Sequence, residues 1–154
     1  MKIGILGGSF DPAHKGHLAI SKEAKRRFKL EKIIWAVTKK NPLKAESKTP
    51  ISKKIKDCKK IIGMNSFIKV KFYENIIKSN KTIDLINYLK KDKKIEIFFL
   101  MGADNLINFH KWFRSKLISQ KCNIIVFDRH GYKKNSLKSK TFKRLNNKTL
   151  TFVE

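Results

Sequence analysis

Five short apolar runs rich in β-branched residues, KIGIL (2–6), KIIWAVT (32–38), IKVKFY (68–73), IEIFFLM (95–101) and NIIVF (123–127), are separated by stretches with helical spacing. Runs of this kind read as strands covered on both faces, and such strands belong to parallel sheets whose crossovers are helices. The expected fold class is α/β, a doubly wound parallel sheet, with TLTFVE (149–154) as its last strand.

The intervening periods place helices. His17, Ile20, Ala24 and Phe28 fall on one stripe, and Ile51, Ile55, Cys58 and Ile62 on another. Thr49 is expected to cap the second helix with Pro50 in its first turn, and Gly63 to stop it. Thr82 is expected to cap a third helix over IDLINYLKK, with Asp84 suiting the dipole. A fourth is expected within NLINFHKW (105–112), and the cationic segment 131–148 is expected to be a loop.

At 154 residues the chain fits one domain large enough to hold a core without disulfides. Cys58 and Cys122 form no CxxC pair, which removes the usual zinc and dithiol signatures and fits a reducing cytoplasm. Gly4, Gly7 and Gly8 interrupt the N-terminal apolar run, so it does not read as a leader, and no run reaches a membrane-spanning length. The net charge is +25, with the cations scattered along the chain rather than interleaved with aromatics on one face. Nucleic acid is therefore not expected as a partner, whereas a basic surface attracts phosphorylated small molecules.

The chemistry gathers in GGSFDPAHKGH (7–17), directly after the first strand. Gly7 and Gly8 let a phosphate approach the backbone without meeting a Cβ, and the following helix points its positive end at the same space. His14 and His17, three apart at that helix start, can each donate to a phosphate oxygen. The stretch contains no GxGxxG, and VTKK (37–40) offers no carboxylate for a ribose diol, so a dinucleotide-cofactor fold is not expected; without GxxxxGK[ST] a P-loop is excluded by sequence. No Ser, His and Asp constellation points to hydrolysis.

GGSFDPAHKGH resembles the signature of the HxGH nucleotidyltransferases, which have a Rossmann-like fold and are distantly similar to class I aminoacyl-tRNA synthetase catalytic domains. NPLK (41–44), TID (82–84), LMGADNLINFHKW (100–112) and DRHGY (128–132) resemble successive blocks of bacterial nicotinate-nucleotide adenylyltransferases. The resemblance implies ATP and nicotinate mononucleotide as substrates, Mg²⁺ accompanying ATP, and nicotinate adenine dinucleotide and pyrophosphate as products. It implies catalytic roles for His14, His17 and Lys44, and an ATP site formed by Gly7, Gly8, Ser9, Phe10, His14, His17 and Asp104. Lys44, Thr82, Trp112 and Arg129 would bind substrate: Lys44 a substrate phosphate, Arg129 the mononucleotide phosphate, Thr82 the nicotinate carboxylate and Trp112 the pyridine ring. Trp35, inside an apolar strand, reads as core, and His110 and His130 receive no role.

No residue is put forward as a metal ligand, no membrane association is expected, and assembly into a homo-oligomer is left open. The family's C-terminal ISSTxIR block has no counterpart here, so a single nucleotidyltransferase domain over 1–154, C-terminally truncated, is expected. The alternatives are transfer to another phosphate acceptor, as in the pantetheine-phosphate adenylyltransferases, and an inactive polyanion-binding relative.

Overall fold

The computed structural model describes residues 1–39, 48–102, 105, 109, 111–127 and the backbone of 150–153. In chain order the elements are β1 (Lys2–Gly8), α1 (Lys15–Phe28), β2 (Lys32–Val37), α2 (Ile51–Ile62), β3 (Ile68–Lys71), α3 (Glu74–Ile77), α4 (Thr82–Leu89), β4 (Glu96–Gly102), α5 (Ser115–Lys121), β5 (Asn123–Phe127) and β6 (Leu150–Val153). The strands form one sheet in the order β3-β2-β1-β4-β5-β6, every pairing parallel. All five apolar runs and TLTFVE supply strands, giving the doubly wound, Rossmann-like arrangement.

β1, β2, β4 and β5 are buried on both sides because their alternate residues enter different cores, whereas β3, at the sheet edge, leaves Lys69 and Lys71 exposed. Leu6, Trp35, Leu100 and Ile125 pack with Ile20, Ala24, Cys58 and Ile62 of α1 and α2. Ile5, Ala36, Phe99 and Ile124 pack with Ile83 and Ile86 of α4 and Ile118 of α5 on the opposite face. This two-sided cover explains why these four strands read as continuous apolar runs rather than alternating ones.

Several local expectations change. β1 continues through Gly7 and Gly8, which register with Ala36 and Val37, so the glycines end the strand rather than follow it. The chain turns at Phe10, whose φ of 49° is unusual for a bulky residue, and the Asp11–Pro12 peptide is cis. Thr49 does not cap α2: Pro50 holds that position, and the Thr49 hydroxyl donates to Asp11 Oδ1 at 2.9 Å. Thr82 does not cap α4 either. Lys81 is the capping residue, without a side-chain cap bond, while Ser79 Oγ accepts from the Lys81 amide at 3.0 Å and donates to Asp84 Oδ2 at 2.6 Å. Gly63 does end α2, at a φ of 56° that favours glycine.

Lys54, within α2, is only 1% exposed and donates through Nζ to the Thr38 carbonyl at 3.0 Å. That bond fixes the backbone leaving β2, on the side of the sheet where ligands bind in such folds. Of the expected fourth helix, Asn105 and Phe109 are helical while Lys111 lies in a turn and Trp112 in a bend, and its remaining residues and the cationic segment 131–148 lie outside the described residues. Among the described residues, no helix is long and apolar enough to cross a membrane.

Candidate active site

The chain runs outward from β1 through β2 to β3, then returns to place β4 on the other side of β1. The strand order therefore reverses beside β1, and the crevice beyond its carboxyl end is where ligands bind in open parallel sheets. Gly7 and Gly8 sit at that point. A Cβ on Gly7 would meet Phe99, whereas one on Gly8 would meet Phe10, so the two residues open toward opposite faces. The amide of Thr38 donates to the Gly8 carbonyl at 3.0 Å, tying the exits of β1 and β2 together.

A cleft at this end is lined by Gly7, Gly8, Thr38, Thr82, Leu85 and Trp112, among others. Residues expected from three separate sequence blocks thus meet in one place. Trp112 is half-buried, with its ring held edge-on to Phe99 at 5.9 Å and to Phe109 at 4.9 Å between centroids. Trp35, by contrast, is fully buried beneath the α1 side, as its apolar neighbours imply.

His14 and His17 cap α1 reciprocally. His14 Nδ1 accepts from the Gly16 amide at 3.1 Å, and His17 Nδ1 accepts from the His14 amide at 3.1 Å. The pattern is a capping box with imidazoles in place of the usual hydroxyl and carboxylate. A backbone N–H can only donate, so both Nδ1 atoms carry lone pairs and each neutral ring carries its proton on Nε2. The rings lie 3.8 Å apart between centroids, His14 exposed and His17 half-buried. With no acidic residue in the first turn, the helix start presents amide dipoles to an anion, and each imidazole has its N–H donor on Nε2.

The support beneath this pair was not legible from sequence. Phe10 is 3% exposed, stacks on Trp35 at 5.2 Å and lies 4.7 Å from the His17 ring, so it carries the imidazole from below. Ser21 is fully buried: its hydroxyl donates to the His17 carbonyl at 2.9 Å and accepts from Trp35 Nε1 at 2.8 Å. Ser21 lies four residues after His17, which marks it as a same-face neighbour, but its bond to β2 has no sequence signature. Ser9 is half-buried between Gly8 and Phe10. Lys44, Asp104 and Arg129 lie outside the described residues.

No cysteine serves this site. Burial pushes the Cys58 thiol up to about 11 and the Cys122 thiol up to about 12, so neither forms a nucleophilic thiolate near neutrality. Tyr73, on the cleft wall, also has its phenol pushed up by burial and then by Tyr88, which keeps it a hydrogen-bond donor.

The cytidylyltransferase-like family model matches residues 5–150. A probable nicotinate-nucleotide adenylyltransferase from Pelagibacter ubique (strain HTCC1062) is 66% identical over 152 residues, covering 99% of this chain and 84% of that one. A probable nicotinate-nucleotide adenylyltransferase from Methylorubrum extorquens (strain PA1) is 37% identical over 134 residues, covering 86% and 72%. The Plasmodium falciparum nicotinic acid mononucleotide adenylyltransferase, solved in complex with NaAD, superposes with a TM-score of 0.79 over 99% of this chain and 74% of its own, at 19% identity, a likeness of fold. The chain belongs to the cytidylyltransferase-like family and, within it, to the nicotinate-nucleotide adenylyltransferases.

Proposed function

We propose that the chain transfers the adenylyl group of ATP to nicotinate mononucleotide, giving nicotinate adenine dinucleotide and pyrophosphate, and that it does so in the cytoplasm. The observation that carries this reading is the meeting of Gly7, Gly8, Thr82 and Trp112 in one cleft at the carboxyl end of β1.

In this reading the mononucleotide phosphate oxygen attacks the α-phosphorus of ATP in line, a P–O bond forms, and the α–β bridging bond breaks as pyrophosphate leaves. The nucleophile is already ionised and the leaving group is good, so no covalent intermediate or general base is required. Placement and charge neutralisation supply the rate, and alignment of this kind is worth up to about 7–11 kcal/mol. The Nε2–H groups of His14 and His17 donate to the triphosphate, with the dipole of α1 behind them. Gly7, Gly8 and Ser9 form the nucleotide floor, Phe10 holds it from beneath, and Asp104 contributes to ATP binding. Thr82, at the start of α4, and the face of Trp112 receive the pyridine, while Lys44 and Arg129 meet the mononucleotide phosphate.

Magnesium would arrive with ATP. Among the described residues no group of three His, Cys, Asp or Glu side chains could hold an ion unaided. Such a hard cation takes phosphate oxygens and water as ligands and would neutralise phosphate charge.

Incubating the purified chain with ATP, Mg²⁺ and each candidate acceptor tests the reading. Pyrophosphate and the deamido dinucleotide should form together with nicotinate mononucleotide. Turnover confined to phosphopantetheine, or salt-sensitive RNA binding without any turnover, would overturn it.

A further inference from the structure

We infer that Lys54 is a positioning residue for the transfer: from the buried face of α2 it holds the cleft floor in the geometry that aligns the two substrates. The assignment rests on the proposed reaction and adds to it a side chain that touches neither substrate.

Lys54 stands where a core side chain is expected. It shares the buried face of α2 with Cys58 and Ile62, both members of the apolar cluster beneath the sheet. The residue is 1% exposed, and among the described residues no carboxylate forms an ion pair with it; Asp57 pairs with exposed Lys53 instead. Taking an ammonium out of water is costly, and a carbonyl dipole offsets that only in part. Leucine or methionine would fill the same stripe without the cost. The charge therefore serves the end it reaches rather than the core it crosses.

That end is the Thr38 carbonyl, 3.0 Å from Nζ. Thr38 follows the last residue of β2, lines the cleft together with Gly8, and donates its amide to the Gly8 carbonyl at 3.0 Å. One ammonium thus braces the exits of both β2 and β1. A second hold comes from just before α2, where the Thr49 hydroxyl donates to Asp11 Oδ1 at 2.9 Å in the turn that leads to His14. The same helix therefore ties the cleft that contains Thr82 and Trp112 to the connection that carries the histidine pair. In-line transfer depends on that relation, since a displacement of about 1 Å far from the reacting atoms can cost on the order of a hundredfold in rate.

The test compares Lys54→Met with wild type in the intact chain, at a temperature where melts show both folded. Single-turnover pyrophosphate release gives the rate, and calorimetry gives the Kd for nicotinate mononucleotide and for a non-hydrolysable ATP analogue. Methionine keeps the apolar stem and removes the donor. The rate should fall at least about tenfold while each Kd moves by less than about twofold, the pattern of a contribution made only in the transition state. Lys54→Arg returns a cationic donor and should recover most of the rate. Lys53→Met removes the exposed neighbouring cation and should change neither quantity.

An unchanged rate in Lys54→Met, with only a lower Tm, would make the residue a core element and overturn the assignment. So would weaker binding of either ligand large enough to account for the lost turnover, no recovery in Lys54→Arg, or an equal loss in Lys53→Met. If Lys54→Met does not fold, Lys54→Gln, with a shorter neutral donor, replaces it under the same criteria, and failure of both to fold would also overturn the assignment. Each of these results, with the wild type active, leaves the proposed reaction standing. Absence of turnover in the wild type would overturn the reaction and this assignment with it.

Discussion

Replacing His17 separates the two jobs proposed for it, Nδ1 serving the helix and the Nε2–H serving the triphosphate. Its Nδ1 accepts from the His14 amide at 3.1 Å, and its ring lies 4.7 Å from buried Phe10. His17→Ala removes the cap acceptor, worth about 1 kcal/mol, and a similar amount of apolar cover over Phe10. A loss of about 2 kcal/mol lowers Tm by roughly 4–8 °C in a chain of this size. His17→Asn is different. Asn Oδ1 overlays Nδ1 and Nδ2 overlays the neighbouring carbon, so the acceptor survives while nothing reaches the Nε2 position. Both variants lose the proposed hydrogen bond to a charged phosphate, about 1.5–3 kcal/mol, so kcat should fall roughly 10- to 150-fold in each. Thermal melts and single-turnover pyrophosphate release read the two effects separately. The expected pattern is that Asn rescues most of the stability and none of the rate. If the rate follows stability, with Asn near wild type, His17 acts by shaping the helix and the phosphate role is wrong.

Two further consequences concern the scaffold. Ser21→Ala leaves the buried Trp35 Nε1 without its acceptor, costing about 1–3 kcal/mol; Trp35→Phe added to it should recover part of that loss in urea melts, and strictly additive losses would contradict the pairing. The thiols of Cys58 and Cys122 stay protonated in the fold up to about 11 and about 12, whereas unfolded thiols ionise from an ordinary value of 9.0. The protonated form is thus retained by the folded state: this contribution is complete below pH 9 and is lost as pH rises toward 11–12. Urea melts across that window should show a steeper alkaline loss for wild type than for Cys58→Ala/Cys122→Ala, and identical slopes would refute it.

The sheet was readable in the sequence because parallel strands buried on both faces carry their burial in composition, as KIIWAVT and IEIFFLM do. Gly63 was readable as a stop because a positive φ selects glycine locally. Caps were not, because hydroxyls choose among partners that only folding supplies: Thr49 takes Asp11, 38 residues away, and Ser79 organises the turn before Thr82. Helices α3 and α5 are too short for a 3.6-residue period to declare itself. Lys54 looks like one more surface lysine until α2 docks and buries it against the Thr38 carbonyl. At the site, the HxGH run announced its histidines, yet their reciprocal bonding and the Phe10, Trp35 and Ser21 support come from tertiary contacts that spacing does not encode.

The central claim is that two neutral imidazoles, locked by backbone amides, turn their Nε2–H groups to a triphosphate. Nitrogen-15 spectra of histidine-labelled protein address it directly, since the chain has four histidines and His14→Asn and His17→Asn assign the pair. Near neutral pH both rings should be Nε2–H tautomers, and a non-hydrolysable ATP analogue should shift both Nε2 resonances while leaving Nδ1 bonded to the amides. Protons found on Nδ1, or Nε2 signals indifferent to the nucleotide, would contradict it.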